Sequence, residues 1–547
     1  MENKMKAEKK DLGLARKIIC ATATNDDGNG AAGAIDGDYA TRWSSDVIGA
    51  EITLELDGVY PISYIGVASF KGDERRTIIG ISVSEDGTNY ERVVERAETE
   101  KHPGMVPVSL GGTYNARFVK IHGFGNTTSA WTSICEIKVY SPSEDGKMHV
   151  DKNGPQKVTL EDLPIEVQKA LNSVEKYYRG VIPWLSHMYD PKTHGFYMTM
   201  SGMKDPDMEP ALEMTGWGIS FLSQYTEAMA TAPEVFRQDL IKFFQDRQDP
   251  ETGLFIDKQG PANARETARN QDTSLGALKT LGGEKLYPHP REIKSADTVK
   301  SAALFPDYME SVETYVNWIA SMDWENGSWH GGDQTQSSQK YVAMLPPDKA
   351  KEYQDAAVAW LNNQQQENGL WSTKYDFCAA SGAFKVGLVY GAWGLRLPNH
   401  DKIIDAIFEC YKRSKTENPF YVRNPISVLA QMSTYSPETK AKIQKLLVEN
   451  IDAVIANFGE FLCPDGAFSA GKKRSMHSFG GVVGSHCLYE GDIDATLMIL
   501  IARKQLYGLF DIPAPPLDAS EFWDWIYGKK PLPDPYAAVA DLFTEEK

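Results

Sequence analysis

Gln248-Asp-Pro-Glu-Thr-Gly-Leu-Phe255 sits between two amphipathic helical patterns, Pro233 to Arg247 and Thr267 to Leu281, and its form recurs along the chain. A helix ends in a short polar turn that contains Gly and is followed by an aromatic residue. The same form is read in Asp190-Pro-Lys-Thr-His-Gly-Phe-Tyr197, Asp323-Trp-Glu-Asn-Gly-Ser-Trp329, Gln366-Glu-Asn-Gly-Leu-Trp371 and Pro464-Asp-Gly-Ala-Phe468. Gly permits the left-handed backbone that stops a helix, and the aromatic residue then packs back under the hairpin. Gaps of about 40 to 75 residues suit one helical hairpin per repeat. The last gap is longer and leaves room for a degenerate sixth unit at Glu417-Asn-Pro-Phe-Tyr421.

Further helical patterns surround these turns: Val167 to Val181, Glu213 to Ala230, Met309 to Ser321, Asp348 to Gln365, Cys378 to Trp393, His400 to Lys415, Pro437 to Phe458 and Asp492 to Gly508. About six hairpins close into an (α/α)6 toroid, which removes the apolar ends an open solenoid would expose. A toroid also creates a funnel at its axis, lined by the loops that connect the helices. Each turn taken alone is equally a plain helix stop with a core aromatic residue.

Before this region the periodicity is two rather than 3.6. Glu51-Ile-Thr-Leu-Glu-Leu56, Ile62 to Ser69, Ile78 to Ser84, Arg117-Phe-Val-Lys-Ile-His122 and Cys135-Glu-Ile-Lys-Val-Tyr140 read as short strands. Asp36-Gly37, Asp57-Gly58 and Asp86-Gly87 read as turns. The sequence therefore predicts a multidomain chain: a flexible tail over residues 1–16, an antiparallel β-sandwich over 17–142, a polar linker over 143–157 and the all-α toroid over 158–547.

The chain has 547 residues, of which 42% are hydrophobic and 24% charged, proportions of globular rather than disordered protein. Its net charge of −18 argues against nucleic acid and against anionic lipid as partners. No apolar run approaches the roughly 20 residues of a membrane helix. Residues 1–17 are polar and Lys-rich and carry no signal-peptide stretch. That implies a cytoplasmic protein, or a secreted or periplasmic one whose leader has been removed. The six cysteines form no CxxC pair, so a zinc ribbon or redox dithiol is not expected. A Cys20–Cys135 bridge is the alternative to two free thiols, and free thiols are the preferred reading. Oligomeric state is not legible.

The β region resembles the F5/8 type C (discoidin) family, and within it carbohydrate-binding module family 32. The resemblance is carried by Ala34-Ile-Asp-Gly-Asp-Tyr-Ala-Thr-Arg-Trp-Ser44, Val83-Ser-Glu-Asp-Gly-Thr88, Ala116-Arg-Phe-Val-Lys-Ile121 and Ile134-Cys-Glu-Ile-Lys-Val-Tyr140. It implies a discoidin-like jelly roll with a structural Ca2+ held by Asp36, Asp38, Thr41, Glu136 and a carbonyl near Ala34. A hard cation of that kind takes several oxygens, and a metal-free Asx turn is the alternative. The resemblance also implies sugar binding on loops at one end, with Arg75, Arg76, Asn126 and Trp131 as candidates and Trp43 in the core. Bracing of the neighbouring domain is the other role such a module plays.

The helical region resembles, less specifically, the (α/α) toroid enzymes: glycoside hydrolases, polysaccharide lyases and the terpenoid cyclase and prenyltransferase group. The Asp-rich initiating motifs of cyclases are missing, and no P-loop, GxSxG or HExxH pattern occurs. The resemblance implies cleavage of glycosidic bonds in an oligosaccharide, polysaccharide or glycoside, without an organic cofactor. Hydrolysis needs two carboxyl groups across the scissile bond, one of them protonated. The candidates are Glu209 and Glu213, Asp272, Asp333 in the Gly-rich Trp329-His-Gly-Gly-Asp-Gln334, and the run Glu490, Asp492 and Asp494. Clustered carboxylates repel, which raises at least one pKa. Acidic residues at helix starts also serve as ordinary caps.

A lyase instead needs a base and a group that neutralises a uronate carboxylate. His330, Tyr375, Arg423, Asn424, His477 and His486 form that set. Trp217, Trp329, Trp371, Tyr375 and Trp393 are candidate sugar platforms, with Trp329 and Trp371 assigned to the core. The first expectation is therefore a glycoside hydrolase with an appended carbohydrate-binding domain. The alternatives are a polysaccharide lyase and a non-catalytic glycan-binding protein.

Overall fold

The structure is a computed structural model that describes residues 15–143, 145–150, 158–259, 264–289 and 305–543. Residues 1–14 of the expected flexible tail and much of the expected linker lie outside the described residues, while Ala15 and Arg16, expected in the tail, pair as a strand with Tyr140 and Val139. The chain divides into two compact units, residues 1–157 and 158–547.

In the first unit, alternation sets the layers. Ile52, Leu54 and Leu56 are fully buried while Glu51, Thr53 and Glu55 between them are not, as a half-buried strand requires. Eight strands form an antiparallel sandwich: β1 (Ala15–Arg16), β2 (Ile18–Ala23), β3 (Trp43–Ser45), β4 (Glu51–Ser69), β5 (Thr77–Ser84), β6 (Glu91–Glu98), β7 (Met105–Asn126) and β8 (Thr132–Tyr140). Their order is β1-β8-β4-β7-β5-β6, with β2 on β4 and β3 on β8. The long strands β4 and β7 serve both layers. Glu51–Glu55 pairs with His122–Phe118, then the register shifts before Tyr60 pairs with Ala116. Asp57-Gly58, expected as a turn, is the bend inside β4 at that shift. Asp36-Gly37 and Asp86-Gly87 are turns, with positive φ at both glycines. Trp43, Ile65, Val67, Ile79, Ile81, Val119, Ile121, Ile134 and Val139 fill the core.

The second unit is helical apart from one small hairpin: α1 (Ile165–Glu175), α2 (Val181–Met188), α3 (Met200–Lys204), α4 (Leu212–Gln224), α5 (Glu234–Gln245), α6 (Ala264–Leu281), α7 (Val312–Ala320), α8 (Trp324–Val342), α9 (Pro347–Gln364), α10 (Phe377–Ala392), α11 (His400–Arg413), α12 (Pro419–Ser433), α13 (Pro437–Ile455), β9 (Ser478–Phe479), β10 (Val482–Val483), α14 (Ile493–Leu509) and α15 (Phe522–Ile526). No helix among the described residues is long and apolar enough to cross a membrane.

Alternate helices are neighbours in space: α4 packs on α6, α8 on α10, α10 on α12, α12 on α14, and α14 on α4. In three of these pairs the contacts advance in the same direction on both members, so those neighbours run parallel. Ser328 meets Gly382 and Gly332 meets Lys385 between α8 and α10. Arg423 meets Phe384 and Gln431 meets Gly387 between α12 and α10. Glu213 meets Arg269 and Gly216 meets Thr273 between α4 and α6.

The recurring turns have a shared anatomy. Tyr189 bridges Phe196, Gln248 bridges Phe255 and Leu462 bridges Phe468 across three of them. The aromatic residue's backbone N–H then donates to a side chain of a following helix: Phe196 to Thr215 of α4 (3.0 Å), Phe255 to Gln271 of α6 (2.8 Å), Phe468 to Thr496 of α14 (3.0 Å). Trp371 ends the fourth turn fully buried, its indole N–H on the Leu361 carbonyl.

Two readings change. Asp323–Trp329 is the start of α8, with Asp323 as its N-cap and a kink at Gly327, so Asp333 lies in a helix rather than a Gly-rich loop. The packed aromatic there is Trp324, whose indole donates to the Ile319 carbonyl. Glu417–Tyr421 is likewise not a turn of the series but the start of α12, with the Asn418 side chain accepting from the Tyr421 N–H. The α8 glycines and serines serve close packing: a Cβ on Gly382 would stand 2.5 Å from Ser328 Oγ and 2.9 Å from its backbone carbon. Gly382→Val is therefore expected to cost about 1–3 kcal/mol by overpacking, read as a lower thermal midpoint of the helical signal. An unchanged midpoint contradicts the close crossing.

Candidate functional site

Helices α4, α6, α12 and α14 bring charged side chains together near their N-terminal ends. Glu213 stands in the first turn of α4, 3% exposed, and its Oε1 accepts a 2.9 Å bond from Arg269 Nε of α6. Asp494 stands in the first turn of α14, 2% exposed, with Oδ2 buried and without a hydrogen-bond partner among the described residues. Burial pushes the Asp494 carboxyl up to about 8; Asp492 and Glu213 push the same way, and Arg269 and Arg423 partly offset them. Arg423 of α12 lies over the Phe384 ring at 4.6 Å. A carboxylic acid that keeps its proton at neutral pH, beside a carboxylate held by an arginine, is an arrangement suited to acid–base chemistry.

Aromatic faces adjoin this group. The hairpin β9–β10 turns through Gly480 and Gly481, both with positive φ, a two-residue turn of the kind that hairpins favour. The turn brings Phe479 edge-on to Trp217 at 4.7 Å and under Arg269 at 4.3 Å. A Cβ on Gly480 would stand 2.8 Å from Glu213 Oε2, which sets the hairpin tip beside the carboxylate.

The other acidic candidates have different surroundings. Glu490 is buried and takes the Ser201 backbone N–H (2.8 Å) and hydroxyl (2.5 Å), which fixes the loop before α14 to α3. Asp492 caps α14 through Ala495 and also accepts the N–H groups of Ala470 and Met476. Burial raises its pKa to about 6, with those three N–H groups opposing the rise. Asp333 pairs with Lys385 of α10 at 2.7 Å. Asp272 is exposed in the middle of α6, not at a helix start. Glu209 lies just before α4 and only Glu213 is in it, so the two do not share a helical face.

The expected base set is dispersed. His330 is exposed on α8, His486 is exposed and pairs with Asp205 at 2.8 Å, His477 meets the Ser485 carbonyl, and Tyr375 lies under Arg413 at 4.5 Å. Trp371 is core, while Trp217, Trp329 and Trp393 are half-buried. Arg269, Lys385 and Phe479 were not singled out from the sequence. The Gly-Gly pair between Phe479 and Val482 was the one legible signal among them.

In the sandwich, the Arg75–Arg76 loop and the 126–131 loop meet: the Thr127 N–H donates to the Arg76 carbonyl, and the Arg76 N–H donates to the Thr127 hydroxyl. Arg75 and Trp131 are half-buried there. Asn126 is buried and spent on its own loop: Nδ2 donates to Ser129 and the Trp131 carbonyl, and Oδ1 accepts from Thr128 and Ser129. It has no group left to hold a sugar hydroxyl.

Of the expected calcium ligands, Thr41 Oγ1 lies between 2.7 and 3.2 Å from four oxygens: the Gly33 and Asp38 carbonyls and both carboxylate oxygens of Asp36. One hydroxyl proton cannot serve four acceptors, so the set has the surplus oxygen character that suits a hard cation. Among the described residues no three His, Cys, Asp or Glu side chains gather as a metal cage. Glu136 accepts the Gly37 N–H at 3.0 Å, and burial pushes its carboxyl up to about 7. Cys20 and Cys135 are free thiols, as are the other four cysteines.

The family comparison decides the first unit. Residues 19–137 match the F5/8 type C domain family. That match covers the sandwich and none of the helical unit. Solved structures similar to the chain include a truncated AlyQ with CBM32 and alginate lyase domains (27% identity over 25% of this chain and 36% of that one, TM-score 0.23). A pectin-binding carbohydrate-binding module (29%, 24% and 94%, TM-score 0.22) and the family 32 module of Clostridium perfringens NanJ with galactose (21%, 24% and 99%, TM-score 0.21) are also similar. The chain thus spans about a third of the AlyQ structure's length. No curated protein gives a match.

Proposed function

We propose that the helical unit is an (α/α)6 toroid that hydrolyses glycosidic bonds, with Asp494 as general acid and Glu213 as the second carboxyl group. The observation that carries this reading is the buried, proton-holding Asp494 beside the Arg269-paired Glu213, next to the Trp217 and Phe479 rings. The run of packed neighbours from α8 through α10, α12, α14 and α4 to α6 supports the toroid. In the reaction, Asp494 gives its proton to the leaving glycosidic oxygen as the bond to the anomeric carbon breaks. Glu213 assists the water or stabilises the positive charge on the ring. The F5/8 type C domain holds the glycan through Arg75 and Trp131 or braces the enzyme.

The test is a screen of the full chain against neutral and uronic acid glycans, read by reducing ends and by absorbance near 235 nm. Reducing ends without absorbance support hydrolysis. Absorbance rising with them replaces the reading with β-elimination, and binding without either signal replaces it with a glycan-binding protein.

We also propose that Asp36, Thr41 and the Gly33 and Asp38 carbonyls hold Ca2+, with Asp38 and Glu136 supplying negative charge nearby. Ligand at about 100 times its Kd stabilises by about 2.7 kcal/mol. Calcium should therefore raise the melting midpoint of the sandwich by several degrees over chelator, and Asp36→Asn should abolish the shift. Equal midpoints in calcium and chelator would establish the metal-free turn.

A further inference from the structure

We infer that Arg423 is the seat of a substrate carboxylate, so that the sugar bound beside Asp494 and Glu213 is a uronic acid. This rests on the carbohydrate reading above and adds the substrate class. The Arg423 guanidinium makes one long hydrogen bond, Nη1 to Asn424 Oδ1 at 3.4 Å, and its buried Nε has no acceptor. Among the described residues it enters no ion pair. Arg503 and Arg247, both more buried than Arg423, make more bonds, although Arg247 Nε also lacks a hydrogen-bond acceptor. Arg503 grips Glu175 with two bonds of 2.9 and 2.6 Å and adds the Pro515 carbonyl. Arg247 faces Asp257 at 3.9 Å and donates to the Phe243 carbonyl. A buried Nε–H without an acceptor is costly even on a half-buried guanidinium, and guanidinium is the group that grips a planar carboxylate with two parallel bonds.

Charge balance points the same way. Arg269 is already neutralised by Glu213. Asp494, the acid nearest Arg423, holds its proton at neutral pH and leaves that cation uncompensated. A local positive site inside a chain of net charge −18 marks a specific need for one negative group. Trp217 and Phe479 then offer apolar faces to the sugar ring.

The experiment is calorimetric binding to the full chain carrying Asp494→Asn, which blocks turnover. The probes are oligogalacturonate and oligoglucuronate, their neutral galactose and glucose counterparts, and a sulfated neutral oligosaccharide. The acidic probes should bind at least tenfold tighter than the neutral ones. Arg423→Met should remove that preference while neutral affinity stays within twofold, and Arg423→Lys should keep part of it. Equal binding of acidic and neutral probes, or a preference that survives Arg423→Met, overturns the inference. A sulfated probe that binds as tightly as the uronates overturns the choice of carboxylate. If Arg423→Met does not fold, the preference of the Arg423-containing chain and of Arg423→Lys still decides. Uronate preference in a chain with no cleaving activity retains this inference and sinks the hydrolase reading; cleavage confined to neutral glycans does the reverse.

Discussion

Asp494→Asn should lower turnover of a cleaved glycan by about 10²–10⁴-fold while the protein stays folded. The amide keeps the shape of the side chain but has no proton to give a departing oxygen. The loss should appear in kcat more than in KM, because the proton is needed in the transition state and not for binding. Glu213→Gln should cost a similar factor, since it removes the partner carboxylate and releases Arg269. The pH profile makes the assignment specific. With the Asp494 carboxyl held up to about 8, activity should persist through neutral pH and fall on an alkaline limb near that value. The limb should be missing from the residual activity of Asp494→Asn. A loss of less than tenfold in both variants, with the limb unmoved, would remove Asp494 and Glu213 from the chemistry.

The same group has a stability signature of opposite sign. Its folded value lies above the ordinary 3.8, so between 3.8 and about 8 the folded chain holds a proton that the unfolded chain has released. The penalty is absent below that window, grows as pH rises through it and is complete above it. At about 1.36 kcal/mol per pH unit, the ceiling near pH 7 is about 4 kcal/mol. Asp494→Asn should therefore be more stable than the parent at pH 7 and equal to it near pH 4. A variant that loses activity and gains stability is what a strained catalytic group produces.

The sandwich was largely legible because each of its strands buries one face, and alternation at Ile52, Leu54 and Leu56 announces that directly. The outer helices were legible for the same reason: α11 carries Ile403, Ile404, Ile407 and Tyr411 on one buried stripe. Besides the short α2, α3 and α15, the helices that escaped notice are α8 and α12. Each packs against helices on more than one side, α8 on α9 and α10 and α12 on α10, α13 and α14, so its pattern has no single apolar stripe. Gly331, Gly332 and Ser328 in α8 and Pro419 and Pro425 in α12 look like breakers until their crossing partners are known. The site followed the same rule. Asp494 and Glu213 were visible as acids at helix starts, where caps are common. What distinguishes them is the approach of Arg269, Arg423 and Phe479 from other helices and a hairpin, and no local spacing encodes that.

Arg503→Met should destabilise the helical unit by about 3–5 kcal/mol, the range for breaking a buried pair from one side. Arg503 is 1% exposed on α14, and its fork holds Glu175 at the end of α1 while its Nη2 also serves the Pro515 carbonyl. Tyr507 donates to the same carboxylate at 2.9 Å, and the Tyr178 and Tyr507 rings lie 5.1 and 5.5 Å from the guanidinium. Methionine fills much of the volume but leaves the Glu175 charge without its counterion. The Glu175 side chain is 28% exposed, so water recovers part of the loss and the lower end of the range is expected. Adding Glu175→Gln to Arg503→Met should restore stability, because it removes the stranded charge. Urea denaturation followed by helical circular dichroism reads both, and a single variant within 1 kcal/mol of the parent would show the pair to be dispensable. Arg503 lies nine residues beyond Asp494 on one helix, a distance of about 13 Å. Arg503→Met should therefore leave turnover per folded molecule unchanged. One helix thus carries two opposite responses, with Asp494→Asn gaining stability and losing chemistry and Arg503→Met losing stability and keeping it. Only a fold that anchors α14 at its middle and sets a strained acid at its start gives both.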